Sequence, residues 1–361
     1  MKPWHIVVAI AAGVVVGIFE PGRFEYALGH ATLYVFLPPL LFEAAWNLSY
    51  RAIVRHWRAI AMLAGPGVVL TAVVVAGALT IVRVPIGPAL LTGAILSATD
   101  PIAVIAIFRS FKIPKSLETI VECESLFNDA VAVVLYRGVL AALVAGSLSA
   151  SSIGLLTART VGESLGGVVL GVALAFVVAR VLRRTQRVEP QILATILCAY
   201  GTYFAADELH MSGIFATIAS GIALRYYERR WLTHSIVEGV ERFWDLAALL
   251  ANALVFFLVG AALKIDQIAG NPAFVIACLA ATAVSRFALA WLLIPYKYPP
   301  QWLNVVRVAG VRGALSIALA LAIPAFVPYR QAIVDATFAV ALATIAAYGL
   351  RASRVVRRAA L

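Results

Sequence analysis

The stretch VECESLFNDAVAVVLY (Val121–Tyr136) places Glu122, Glu124, Asn128 and Asp129 ahead of a run that is apolar almost without interruption. Three carboxylates and an amide therefore share a segment that partitions into oil. What surrounds that segment decides how its charges are to be read.

The whole chain answers in the same direction. Of its 361 residues 63% are hydrophobic and only 13% charged, with a mean hydropathy of +0.95. A soluble domain is nearer about 45–50% apolar and about 25% charged. The composition indicates a polytopic membrane protein. Its cysteines, Cys123, Cys198 and Cys278, lie in apolar runs with no disulfide or zinc spacing. No small-residue cleavage site follows the first apolar run, so the first span is read as the insertion signal.

Twelve hydrophobic segments are read, at roughly 5–19, 27–47, 57–82, 86–108, 117–147, 161–182, 188–207, 211–224, 236–263, 271–295, 302–324 and 331–350. Alternate loops collect 19 Lys and Arg on one side, including Arg51, Arg55 and Arg58, Arg225, Arg229 and Arg230, and Arg351 to Arg358. The other side collects 5, namely Arg23, Arg83, Arg159, Lys264 and Arg330. The positive-inside rule puts the first set and both termini in the cytoplasm. The net charge of +11 is thereby explained as topology and not as nucleic-acid binding. Arg137, Arg242, Arg286, Arg307 and Arg312 remain inside spans, where a charge marks a functional site by default.

Four stretches carry the chemistry. They are LPPLLFEAAWNL with Glu43; LSATDPIAVIAIF with Thr99, Asp100 and Pro101; ECESLFND; and VAGVRGALSIALALAIP with Arg312, preceded by Arg286 in AVSRFALAW. Pro101 donates no backbone hydrogen bond and disfavours helix at Asp100, which predicts a broken helix in mid-span. Gly310 and Gly313 bracket Arg312 in the corresponding span of the other half. A pair of interrupted spans points to a transporter's midplane site. On a helix, Glu124 and Asn128 share a face, as do Ser125 and Asp129. These are hard oxygen ligands, suited to alkali cations, and no His or Cys cluster favours a transition metal. Burial favours the neutral form of a carboxylate, so Asp129 can hold a proton for which a cation competes. A single carboxylate beside Asn128 favours one proton per monovalent cation. Glu124 then needs a buried arginine, with Arg286 preferred over Arg312.

These stretches, in this order, resemble the monovalent cation:proton antiporters of the NhaP/NHE type over nearly the whole chain. The resemblance implies an all-α membrane fold with inverted repeats and two broken crossing helices. It implies a moving core, drawn from roughly 57–147 and 271–350, and dimerisation helices from the remainder. It implies an ion site of Asp129, Ser125, the Thr99 carbonyl, Asp100 and Glu43, with Asn128 orienting the crossing and Glu124 paired to an arginine. A homodimer in the cytoplasmic membrane, exchanging sodium, lithium or potassium for protons in pH and sodium homeostasis, is expected. No organic cofactor and no soluble regulatory domain is expected. Cys123 stands where the family usually has Gly, and members commonly have one further N-terminal span.

GESLG (Gly162–Gly166) matches a nucleophile-elbow pattern but opens an expected membrane helix, where that motif has no function. Trp46, Trp231 and Trp302, near span ends, are read as interface anchors. The cation's identity does not follow from spacing.

Overall fold

A computed structural model describes residues 3–19, 32–100, 108, 113–146, 150–262, 271–296 and 298–359. Fourteen α-helices are numbered among them. They are α1 (Pro3–Phe19), α2 (Leu37–Asn47), α3 (Tyr50–Ala64), α4 (Pro66–Ile81), α5 (Ile86–Ser97), α6 (Lys115–Val144), α7 (Ala150–Leu182), α8 (Val188–Glu208), α9 (Gly213–Glu228), α10 (His234–Ala261), α11 (Pro272–Trp291), α12 (Pro300–Val308), α13 (Ala314–Leu321) and α14 (Arg330–Ala359). A π-helical turn, Thr32–Phe36, leads into α2, and every regular element among the described residues is helical. Among the described residues, six helical stretches are long and apolar enough to cross a bilayer: Tyr50–Ile81, Lys115–Val144, Ala158–Leu182, His234–Ala261, Pro272–Tyr296 and Arg330–Ala347.

Local chemistry sets the ends. Pro66, Pro272 and Pro300 open helices where a missing N–H costs nothing. Asn271 and Ser212 cap α11 and α9 by accepting from the amides of Phe274 and Phe215. The expected interruption of the fourth span is present, since α5 ends at Ser97 and Ala98 is extended. The eleventh span divides into α12 and α13, with residues 309–313 non-helical between them. Pro101 itself lies outside the described residues.

The chain forms two compact units. The first comprises Met1–Thr32, Ala52–Ile153 and Val255–Leu361. Its core joins Leu63, Leu117, Ile120, Val121, Leu289, Val305 and Val311, all buried. The end of α10 meets α1 so closely that a Cβ on Gly13 would lie 2.0 Å from the Phe257 carbonyl oxygen. Small residues permit such backbone approach in a membrane, where no hydrophobic force draws helices together. The second unit comprises Leu33–Arg51 and Gly154–Leu254. Phe42, Trp46, Ala175, Cys198, Leu224, Val240 and Trp244 form its core. Trp46 is 0% exposed, so it is a core residue and not the interface anchor its position near a span end implied. Its ring stacks with Phe42, which packs in turn on Trp244.

The five arginines read as lying inside spans separate by burial. Arg286 and Arg312 are buried. Arg137 and Arg242 are exposed, and Arg307 is half-buried and donates to Asn304. Arg242 donates to Glu238 one turn earlier on the exposed face of α10. Ser164, the decoy nucleophile, donates to the Thr160 carbonyl in the interior of α7.

Candidate functional site

In the first unit, α5 stops at Ser97 and hands the chain to the extended residues Ala98, Thr99 and Asp100. That short segment crosses the non-helical stretch 309–313 between α12 and α13. The Asp100 amide donates to the Val311 carbonyl at 2.8 Å, and the Ser316 hydroxyl of α13 donates to the Ala98 carbonyl at 3.3 Å. Two interrupted helices thus satisfy part of each other's freed backbone, as broken helices buried in protein must.

Thr99 is the hub. Its backbone amide donates to Asp129 Oδ1 at 3.1 Å. Its carbonyl accepts from the Ser125 hydroxyl. Its own hydroxyl lies 3.3 Å from Ser125 Oγ and accepts from Asn128 Nδ2 at 3.2 Å. Ser125, Asn128 and Asp129 all project from α6, one turn or less apart. The helical spacing i, i+3, i+4 brings them to one side, and the extended segment supplies the matching amide and carbonyl. Ser125 and Asn128 are buried, while Asp129 and Asp100 keep partial exposure. Side-chain and backbone oxygens are thereby gathered around Thr99.

Two glycines let the crossing close. A Cβ on Gly313 would stand 2.2 Å from Asp100 Oδ2, and one on Gly310 would stand 1.8 Å from Arg286 Nε. Only a residue without a side chain fits against those groups. Between the glycines, Arg312 is 0% exposed. Its Nε donates to the Leu96 carbonyl and its Nη1 to the Gly310 carbonyl, at 2.7 and 2.8 Å. A fixed positive charge therefore sits at the carboxyl end of α5, where the helix presents unpaired carbonyls and partial negative charge.

Glu124, next to Ser125 on α6, has its partner on another helix. Its Oε1 accepts from Arg286 Nη1 of α11 at 2.7 Å, and both side chains are almost fully buried. Of the two arginines considered for Glu124, Arg286 is the one that meets it.

Two further residues were read into the site from sequence. Glu43 belongs to α2 in the second unit, where its Oε1 accepts from Asn47 at 2.7 Å. Pro101 lies outside the described residues. Conversely, Thr344 of α14 and Ser316 were not singled out from sequence. Thr344 Oγ1 accepts from the Arg312 amide at 3.0 Å and so pins the crossing stretch to α14. In an apolar helix such hydroxyls are commonplace, because they bond back to their own helix, as Thr344 also does to Ala341.

With this geometry in place, comparison with known proteins is specific. Residues 5–358 match the family described as "Sodium/hydrogen exchanger, transmembrane". The Na(+)/H(+) antiporter ApNhaP of Aphanothece halophytica is 34% identical over 346 residues, covering 91% of this chain and 64% of that protein. The low-affinity Na(+)/H(+) antiporter NhaS1 of Synechocystis is 33% identical, covering 90% of this chain and 63% of that protein. The chain thus spans somewhat under two thirds of the length of these two relatives. The Na(+)/H(+) antiporter NhaP of Pseudomonas aeruginosa is 31% identical, covering 90% of this chain and 80% of that one. Among solved structures, the sodium proton antiporter MjNhaP1 of Methanocaldococcus jannaschii superposes with a TM-score of 0.80 at 19% identity, covering 98% and 92% of the two chains. That likeness establishes the antiporter fold.

Proposed function

The chain belongs to the sodium/hydrogen exchanger family, and we propose that it is a secondary antiporter that exchanges a monovalent cation for a proton at Asp129. Sodium is the favoured cation, with lithium and potassium as alternatives. The observation that carries the reading is the convergence of Ser125, Asn128 and Asp129 on the extended Thr99 segment.

The chemistry follows from the oxygens present. Asp129, the Ser125 hydroxyl, the Thr99 carbonyl and Asp100 offer hard ligands of the kind an alkali cation takes. A carboxylate that accepts one backbone N–H retains lone pairs for a cation or for a proton, but not for both together. A proton neutralises Asp129 and removes its attraction for the cation. A cation displaces the proton by the same competition. The site therefore crosses the membrane loaded with one or the other, and exchange needs no further coupling device.

Asn128 is neutral, so one exchangeable charge accompanies each cycle, which supports electroneutral exchange of one proton per cation. Its amide donates to Thr99 and orients the crossing. Glu124 is paired with Arg286 and serves structure, as does Arg312 at the end of α5. Glu43 enters the ligand set on the resemblance of its own stretch. Residence in the cytoplasmic membrane with both termini inside follows from the arginine bias. A homodimer and a part in pH and sodium homeostasis complete the proposal.

Reconstitution tests it. Purified Asp129→Asn in proteoliposomes, with a proton-sensitive dye inside, is expected to give no proton movement on addition of sodium or lithium, with an unchanged elution profile. Full exchange by that variant rejects Asp129 as the shared site. Cation flux that proceeds without proton movement in the unaltered protein would make it a channel instead.

A further inference from the structure

The second unit buries a charged cluster that the exchange reaction does not use. Arg225 and Glu228 lie one turn apart at the carboxyl end of α9, beyond the span read at 211–224. Arg225 is 8% exposed and Glu228 3%. The Arg225 guanidinium stacks on the Trp46 ring of α2, 5.2 Å from its centroid. Its Nη2 donates to Glu241 of α10. Its Nε and Nη1, the indole N–H of Trp46 and both carboxylate oxygens of Glu228 are buried without a hydrogen-bond partner among the described residues.

Native proteins leave few such atoms, and a cluster of them asks for an explanation. For Glu228 the explanation lies in its protonation. An anion with no donor for either oxygen carries a desolvation cost that the neutral acid largely escapes. The carboxyl end of a helix adds partial negative charge and opposes a further one. The charged and titratable groups around the pair are Arg225, Arg229 at the end of α9, Cys198 of α8 and Glu241 of α10. Arg180 of α7 is exposed, and α2 contributes the uncharged Trp46. Arg225 favours the anion, yet it is already engaged by Glu241 and the indole. Burial outweighs Arg225 and pushes the Glu228 carboxyl up to about 8.

We propose that Glu228, whose buried carboxyl oxygens have no donor among the described residues, is a second and reversible proton-binding site on the arginine-rich side of the second unit. While Glu228 is neutral, Arg225 has a single carboxylate partner and ties α9 to α10. When the proton leaves, two carboxylates compete for one guanidinium and that tie loosens. The folded protein keeps the proton where an unfolded chain, with an ordinary glutamate, has lost it. Stability from this group is therefore full at acid pH, declines as pH rises above the ordinary glutamate value of 4.5, and is lost by about 8.

Thermal unfolding of the full chain in detergent tests this without any transport assay. Glu228→Gln is expected to melt with the unaltered protein at acid pH and increasingly above it as pH rises, the gap reaching several degrees by about pH 8. A variant that melts lower at every pH would mean that Glu228 is a permanent anion serving Arg225, and a gap that does not change with pH would overturn the proposal equally. If Glu228→Gln does not fold, infrared difference spectra decide instead. They are recorded on Asp129→Asn, so that the transport carboxylate does not contribute. A buried protonated-carboxyl band that vanishes on alkalinisation supports the site, and the absence of any such titrating band rejects it.

Discussion

Arg312 donates its Nε–H to the Leu96 carbonyl at 2.7 Å, so the loose end of one interrupted helix is closed by a residue from the other. A second donation, from Nη1 to Gly310, folds the crossing stretch back on itself. Hydrogen bonds from a charged donor are worth about 1.5–3 kcal/mol each. Arg312→Ala is therefore expected to lower the melting temperature in detergent strongly. Arg312→Lys is not expected to restore it, because a compact ammonium cannot present the planar fork that spans both carbonyls. A lysine variant as stable as the unaltered protein would show that charge alone suffices there.

The Glu124–Arg286 pair makes a different prediction, because both partners are buried. Glu124→Ala leaves the Arg286 guanidinium uncompensated, at a cost of about 3–5 kcal/mol. Replacing both residues together with apolar ones of similar volume is expected to recover most of that loss. A double-mutant cycle on melting temperatures measures it. Equal stability of Glu124→Ala and the unaltered chain would remove the pair from the structural framework.

Gly313 sets the position of Asp100. A methyl group there would stand 2.2 Å from Asp100 Oδ2, so the carboxylate or the crossing stretch has to move. Gly313→Ala is expected to insert and fold while losing most cation-driven proton release. Gly138, in α6, provides the control, since a Cβ there meets nothing within 4 Å. Gly138→Ala should retain transport and gain up to about 1 kcal/mol of helix stability. Equal activity of the two variants would separate Asp100 from the transport step.

How far the sequence reaches is visible in individual residues. The face shared by Glu124, Ser125, Asn128 and Asp129 was legible because helical periodicity alone decides it. The interruption near Asp100 was legible because proline restricts the residue before it. The choice between Arg286 and Arg312 for Glu124 was settled only by tertiary packing, since both sit in apolar helices with similar neighbours. Trp46 misled, because proximity to a span end says nothing about which way the ring turns, and here it turns into the core of its unit. Thr344 and Ser316 gave no signal, since a hydroxyl in a helix has its own carbonyl to bond and needs no distant one. Burial likewise separated Arg286 and Arg312 from Arg137, Arg242 and Arg307, which composition had grouped together.

The Thr99 side chain allows the finest test, since its hydroxyl and its backbone do different work. The backbone amide reaches Asp129 whatever the side chain, whereas the hydroxyl accepts from Asn128 and lies against Ser125. Thr99→Val keeps the shape and removes the acceptor, leaving the Asn128 amide without a partner in a buried place. A lost hydrogen bond with an orphaned donor costs about 1–3 kcal/mol, or about fivefold and upward in an equilibrium constant. The cation concentration for half-maximal exchange is expected to rise by about tenfold in Thr99→Val. Thr99→Ser, which retains the hydroxyl, should stay close to the unaltered protein. Matched affinities in the Val and Ser variants would assign the whole contribution of this position to its backbone, and would leave Asn128 without a role in orienting the crossing.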